Sequence, residues 1–186
     1  MNEVLQAVQS RRSVRCYKPA QVAAADLEAI LDAGLGAPSA RNQQKWHFTV
    51  IQDAALLRRM VATIKAIALK SDNEFMARMA ADPNFNTFYA APTVILLSAA
   101  DQTQWADFDC AAAAENIALA ATSLGLASCI IGSSGALFAS HEGPAYLKEL
   151  GVPDGYHHVC TIALGYAEGG IPPTPPRNRD VINYVR

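Results

Sequence analysis

Pro92 introduces an unbroken apolar run, Thr93-Val94-Ile95-Leu96-Leu97-Ser98, in which polar and apolar residues do not alternate. A strand patterned this way has no face for water, so it belongs inside a sheet with other elements covering both of its sides. The remaining chain must supply those neighbouring strands and the helices that cover them. With 186 residues, 51% of them hydrophobic and 17% charged, it is long and apolar enough to do so in a single domain, expected over residues 1–186.

Periodicity supplies the other elements. Three more strands are expected at residues 46–51, 128–131 and 157–164, the first of them Trp46-His47-Phe48-Thr49-Val50-Ile51. Val4, Leu5 and Val8 share a helical face over residues 2–10, and Leu27, Ile30, Leu31 and Leu35 repeat at helical spacing with Asp26 ahead as an N-cap. Gly34 and Gly36 are read as the exit of that helix. Asp53 caps a longer helix whose apolar face includes Leu56, Met60 and Ile64. Phe75, Met76 and Met79 suggest a short helix stopped by Pro83, and residues 144–150 another, closed by Gly151. Residues 109–124 are Ala-rich and apolar all round, which fits a helix in the core or at a subunit interface. Helices interleave with strands, so the class is α+β, with a central mixed or antiparallel sheet of four to five strands flanked by helices.

The end of the chain is of another kind. Gly169-Gly170-Ile171-Pro172-Pro173-Thr174-Pro175-Pro176 is extended and cannot be helical, and it leads to the apolar Val181-Ile182-Asn183-Tyr184-Val185. An apolar segment on a Pro-rich arm is expected to dock on its own body or on a partner subunit.

A net charge of −2 argues against a general nucleic-acid binder. No run of 18 apolar residues and no signal-peptide pattern is visible, so no membrane partner is expected. Cys16, Cys110, Cys129 and Cys160 are far apart among small or apolar neighbours, as mostly buried, reduced thiols of a cytoplasmic protein would be.

Chemistry is suggested in two places. The loop Pro38-Ser39-Ala40-Arg41-Asn42-Gln43-Gln44-Lys45 gathers amides, a hydroxyl and cations ahead of the Trp46 strand. It suits either an ordinary polar turn or the rim of a planar heterocycle with several hydrogen-bonding edges. Three cationic clusters, Arg11/Arg12/Arg15, Arg41/Lys45 and Arg177/Arg179, stand out in a lightly charged chain. They are either solvated surface or bidentate phosphate grips, with Ser13 beside the first. Neither a dinucleotide-fold glycine motif nor a P-loop is present. His47, His141 and His157-His158 lack metal-ligand spacing, and no nucleophile elbow occurs, so no metal and no catalytic side chain are expected. Phosphate grips without a nucleophile, metal or acid–base pair are what a chain shows when a cofactor performs the reaction.

Arg11-Arg12-Ser13-Val14-Arg15-Cys16-Tyr17, followed by Ala37-Pro38-Ser39-Ala40-Arg41-Asn42-Gln43-Gln44-Lys45-Trp46-His47-Phe48, resembles the nitroreductase family of FMN-dependent oxidoreductases. The Ala-rich stretch through Glu115-Asn116, the strand Ser128-Cys129-Ile130-Ile131-Gly132, Leu164-Gly165-Tyr166 and the pair Arg177 and Arg179 resemble its later blocks in the same order. The resemblance implies a homodimer with two FMN sites at the interface and a C-terminal arm, about residues 169–186, embracing the partner. It implies that Arg11, Arg12, Ser13, Arg15, Arg177 and Arg179 hold the FMN phosphate, ribityl chain and pyrimidine edge. Pro38, Ser39 and Asn42 would come from the other subunit to line the ring, and Ile131 and Gly132 would lie along it, offering a backbone N–H to N5. NADH or NADPH would donate hydride, and a nitroaromatic, quinone or similar flat small molecule would accept electrons in a ping-pong cycle. Lys45 stands where the family pattern has Pro, so a less rigid loop with a more cationic rim is expected. Two alternatives share the cofactor: an oxygen-dependent or dehalogenating flavin reaction, and a flavin-binding protein without turnover.

Overall fold

The computed structural model describes residues 1–186. The elements in chain order are α1 (Glu3–Ser10), α2 (Ala24–Leu35), β1 (Trp46–Ile51), α3 (Ala54–Leu69), α4 (Glu74–Ala80), β2 (Thr93–Ala100), α5 (Ala106–Ser123), β3 (Ala127–Ile131), α6 (Gly135–Phe138), α7 (Gly143–Glu149) and β4 (Tyr156–Gly165). The architecture is α+β, with one four-stranded sheet in the order β1-β2-β4-β3. Every pairing among the four strands is antiparallel, while the isolated Ser13–Ser128 bridge at the β3 edge is parallel.

The apolar run organises both cores. Val94 and Leu96 of β2 face a cluster built from Leu57, Met60 and Ile64 of α3. Ile95, Leu97 and Ala99 face the other way, against Ile30 of α2 and Ala113 and Ile117 of α5. Alternate side chains of one strand thus fill two separate clusters, which is why that strand has no polar face.

Two local expectations change in physical detail. Ala23, not Asp26, occupies the N-cap of α2. Asp26 sits in the first turn, where its charge opposes the helix dipole's positive end. Gly34 is buried within α2 and does not mark its end: a Cβ there would lie 2.8 Å from Ile117 Cγ1, so the residue lets α2 and α5 approach closely. The turn after β3 is partly helical, since Gly135 begins α6. Asp53 does cap α3, accepting from Ala55 N and Leu56 N at 2.7 and 3.2 Å.

The two edges of the sheet differ. Residues 13–17 run along the β3 side: Val14 N donates to Ser128 O at 3.0 Å, and Tyr17 bridges to Ala167. β1 forms the other edge, with β2 as its one neighbour. Residues 168–186 are exposed throughout, including Val181 and Val185 at 76% and 93%. No helix is long and apolar enough to cross a membrane.

Candidate functional site

The N-terminal arginines are placed by a short extended segment. Arg11 ends α1, and Arg12 turns back on it, donating from Nη1 to Gln9 O at 2.7 Å and Arg11 O at 2.5 Å. The Tyr17 hydroxyl, buried within the core, donates to Val14 O at 2.8 Å. Together with the Ser13–Ser128 bridge, this fixes Ser13 and Arg15 on the outward side of β3.

These residues and the C-terminal arm close around one cleft of about 480 Å³, lined by Arg11, Arg12, Ser13, Arg15, Arg177 and prolines of the arm. Of the anticipated phosphate grips, Arg179 alone lies outside this lining. Four guanidinium groups share the cleft, and the carboxylate that approaches them is Glu115, 3.1 Å from Arg11 Nε. That contact is an ion pair with the N–H directed elsewhere, so Arg11 Nε and Arg12 Nε are both buried donors without a hydrogen-bond partner. Unsatisfied cationic donors on a polar cleft fit a phosphate, whose oxygens accept several such bonds at once.

Arg15 extends past the cleft to Tyr89, with its guanidinium carbon 5.8 Å from the ring centroid. Hydrogen bonding to Tyr89 pushes the Arg15 pKa up against the opposing effect of burial. Burial pushes the Cys129 thiol up, and Arg15 and Ser13 only partly offset it, so the sulfur beneath the cleft is held as a thiol. Sequence reasoning assigned Tyr89 no role. Its φ of 56°, which turns it toward Arg15's side of the chain, has no signature in residue type.

β3 delivers the next part. Counting about 3.3 Å per residue, Gly132 lies roughly 13 Å along the chain from the Ser13–Ser128 bridge. Ile131 is buried, Gly132 is exposed, and a Cβ on Gly132 would meet nothing within 4 Å. The turn below is fixed by a buried polar group: Ser134 Oγ donates to Thr161 Oγ1 at 2.9 Å and lies 3.2 Å from His158 Nε2. Ser133 Oγ meets Thr87 Oγ1 at 3.3 Å, tying the turn to the strand-entry segment before β2.

His158 stacks on Phe138 at 4.7 Å, and burial, with a smaller contribution from His157, lowers its pKa from 6.5 to about 4. The fold therefore favours the neutral ring, and the unfolded chain takes up the proton first. Stability is complete above pH 6.5 and falls as the pH drops toward 4, by roughly 3 kcal/mol once below it. Denaturant titrations at pH 7.5 and 4.0 should show this loss, and His158→Gln should flatten it. His157 behaves oppositely. Burial opposes its charging, but hydrogen bonds to Asp101 and Asp107, both at 2.8 Å, outweigh it and raise its pKa. Its contribution is present below pH 6.5 and lost as the pH rises through the raised value, and solvent exposure keeps it small.

Pro38 and Ser39 sit elsewhere on the chain, on a surface shared with Trp105, Phe108 and Asp109 of α5 and its approach. Arg41, Asn42 and Gln44 all have φ between 50° and 55°, so the loop is a constrained shape, and its restraints are explicit. Gln44 N donates to Ser39 Oγ at 3.0 Å, and Ala40 N donates to both Asp109 carboxylate oxygens at 3.1 Å. Lys45 continues the sheet, accepting at its carbonyl from Ala100 N at 3.0 Å. The loop is thus anchored without the proline whose absence suggested a looser one. Because Asp109 is only 7% exposed, Asp109→Ala should cost about 2 kcal/mol and Asp109→Asn less than half of that, read from denaturant midpoints. Asn116, in the same helix, anchors α5 to α2 by donating to Ala33 O at 3.0 Å.

The family model for the nitroreductase family matches residues 8–166. The chain belongs to the nitroreductase family. A nitroreductase of Bacteroides fragilis, solved with bound FMN, superposes with a TM-score of 0.93 at 38% identity over the whole of both chains. One from Desulfitobacterium hafniense, also with bound FMN, gives 0.91 at 35% identity over the same full extent. An Archaeoglobus fulgidus protein provisionally named NADH dehydrogenase/NAD(P)H nitroreductase is 34% identical over 167 residues, covering 89% of this chain and 86% of the relative. The two solved nitroreductases share the overall fold described above.

Proposed function

We propose that the protein is an FMN-dependent oxidoreductase that takes hydride from NADH or NADPH and reduces a nitroaromatic, a quinone or a similar flat acceptor in a ping-pong cycle. The observation that carries this reading is the cleft of four arginines with two unsatisfied buried Nε–H groups, set at the start of a strand that ends in the open Gly132. Arg11, Arg12, Arg15 and Arg177 grip the phosphate, Ser13 adds a hydroxyl, and Arg179 closes in from the arm. The ribityl chain runs along β3, between the phosphate at the Ser13–Ser128 bridge and the ring at Gly132. Ile131 and Gly132 then lie beside the ring, where the lack of a side chain leaves room for a flat body and a backbone N–H to face N5. When bound, FMN supplies the hydride-accepting ring, and the protein supplies position and charge. FMN-bound structures among the similar proteins, and the NAD(P)H in the name of the Archaeoglobus relative, support the cofactor and the donor.

The whole chain acts as one domain and as half of a homodimer. Support comes from apolar surface that one copy leaves bare: Val4 and Leu5 of α1, Trp105 and Phe108 before and in α5, and Val181, Tyr184 and Val185 of the arm, all at least half exposed. Pro38 and Ser39 stand next to the Trp105–Phe108 patch, so pairing copies through α5 brings their loop, Asn42 included, over the partner's ring site. The arm, about residues 169–186, reaches across to the partner, and the unpaired edge of β1 is a place where its apolar end can add a strand. The free thiols suit a reducing cytoplasm.

The test is a visible spectrum of the purified protein, repeated without oxygen after NADH and then NADPH. A flavin double band that bleaches with a pyridine nucleotide, and recovers when a nitroaromatic or quinone is added, supports the reading. Recovery only with oxygen moves it to an oxygen-dependent reaction. Bound flavin that no pyridine nucleotide bleaches leaves a flavin carrier, and a colourless protein that takes up no FMN overturns the assignment.

A further inference from the structure

A second cleft, of about 530 Å³, opens between α3 and residues 86–92 and shares no lining residue with the arginine cleft. Its floor is apolar, formed by Leu57, Val61, Phe88 and Ala91. Its two charged residues are Arg58 and Lys65, and no aspartate or glutamate lines it. Their spacing of seven puts both cations on one face of α3, flanking the apolar floor. Lys65 spends one of its three donors on Asp82 O at 2.9 Å. Arg58 makes no ion pair, in contrast to its neighbour Arg59, which is engaged by Glu149 on another face. The amide rim is already ordered, with Gln21 Nε2 donating to Pro92 O at 2.8 Å and Gln52 Nε2 to Thr93 Oγ1 at 3.0 Å. A volume of this size, an apolar floor and two cations on one helix face with no carboxylate in the lining are the properties of a site for a small amphipathic anion.

The wall between the two clefts is a single stretch of backbone. Tyr89 meets the first through Arg15, while Asn86, Phe88 and Ala90 line the second. Tyr89 and Ala90 both hold positive φ, 56° and 57°, so this wall is a constrained shape with little room to adjust on one side alone.

We propose that this cleft binds a small organic carboxylate bearing an apolar ring or chain, and that its occupancy is felt at the arginine cleft through residues 86–90. The carboxylate sits between Arg58 and Lys65, and the apolar body lies on Val61 and Phe88. Binding stands independently of the proposed function; the coupling rests on that reading, since the arginine cleft must hold FMN for it to be seen.

The experiment is calorimetric titration of the protein as purified with octanoate, and with 1-octanol as the uncharged comparator. Saturable binding of one octanoate per chain is expected, with octanol weaker by about tenfold. Arg58→Glu should weaken octanoate by at least about tenfold, and Ala62→Trp, an exposed residue whose new side chain fills the cleft, should abolish both. Neither change touches the arginine cleft, so a fault in the cofactor reading leaves this result unaffected. Octanoate that does not saturate, or that binds both variants as it binds the original protein, overturns the site. If titration fails and a cysteine placed at Ala62 is shielded from maleimide, the cleft belongs to a second copy of the chain and the proposal falls. The coupling is read separately: saturating octanoate should change the FMN dissociation constant by about threefold or more, and FMN should change octanoate affinity by the same factor. An unchanged FMN affinity overturns the coupling.

Discussion

Arg11→Ala is expected to weaken FMN binding by roughly 10- to 150-fold while leaving the fold intact. The Arg11 side chain is 25% exposed and its Nε–H has no hydrogen-bond partner, so its removal breaks no hydrogen bond of the core. What is lost is a charge-assisted contact to phosphate, worth about 1.5–3 kcal/mol. Glu115 gives the prediction a second sign. Its carboxylate lies 3.1 Å from Arg11 Nε, competes for that guanidinium and repels a phosphate in the same cleft. Glu115→Gln should therefore tighten FMN binding. The gain should be only a few-fold, because the carboxylate is 45% exposed and screened. Both constants can be measured by quenching of flavin fluorescence on adding apoprotein, at low and high salt. Wild-type affinity in Arg11→Ala, or weaker binding in Glu115→Gln, would move the phosphate to another part of the molecule.

The contrast between Arg11 and Glu115 also shows where sequence reading stops. Strand and helix positions could be read because burial writes itself into residue order. The run from Thr93 to Ser98 is apolar throughout because it feeds two cores, and the α3 pattern of Leu57, Met60 and Ile64 faces one of them. Arg11, Ser13 and Arg15 could be singled out because the chain carries few charges, and Arg177 because it follows a proline-rich arm. Their meeting in one cleft is a property of topology: residues 11–15 lie beside β3, and the arm returns past the end of β4. The approach of Glu115 to Arg11, and the capture of Ala40 N by Asp109, join residues about a hundred and about seventy positions apart. Nothing in local pattern encodes such pairs. The same holds for the second cleft, whose lining comes from the residues around Pro19, Gln52, α3 and the segment 86–92. The shape of that last segment depends on two left-handed residues, Tyr89 and Ala90, that are neither glycine nor asparagine. The misplaced cap at Asp26 is a milder case: acidic residues favour both the cap and the first turn, so composition fixes the helix start only to within a few residues.

Two glycines on either side of α6 should respond to substitution in opposite ways, and together they separate the site from the scaffold. Gly132→Leu is expected to leave stability within about 0.5 kcal/mol, because φ at this residue is not left-handed and a Cβ there would meet no atom within 4 Å. The leucine side chain would instead occupy the open space assigned to the flavin ring, and FMN affinity should fall by about a hundredfold or more, since several kcal/mol of overpacking would fall on the bound state alone. Gly143→Ala should do the reverse. A Cβ at residue 143 would overlap Phe138 O and stand 2.7 Å from Phe138 C, and backbone cannot yield as a side-chain tip can. The α6–α7 junction must shift, at a cost of about 3 kcal/mol or more. For a chain of this length that is a fall in Tm of roughly 6–12 °C. The molecules that still fold at low temperature should bind FMN nearly as the original does, because residue 143 lies outside the arginine cleft and away from the Ile131–Gly132 edge. Thermal melts and flavin titrations on the two variants give four numbers, of which one pairing fits: stable but colourless at position 132, yellow but heat-labile at position 143. A Gly132→Leu protein that retains flavin would show that the ring lies elsewhere, whatever the arginines hold.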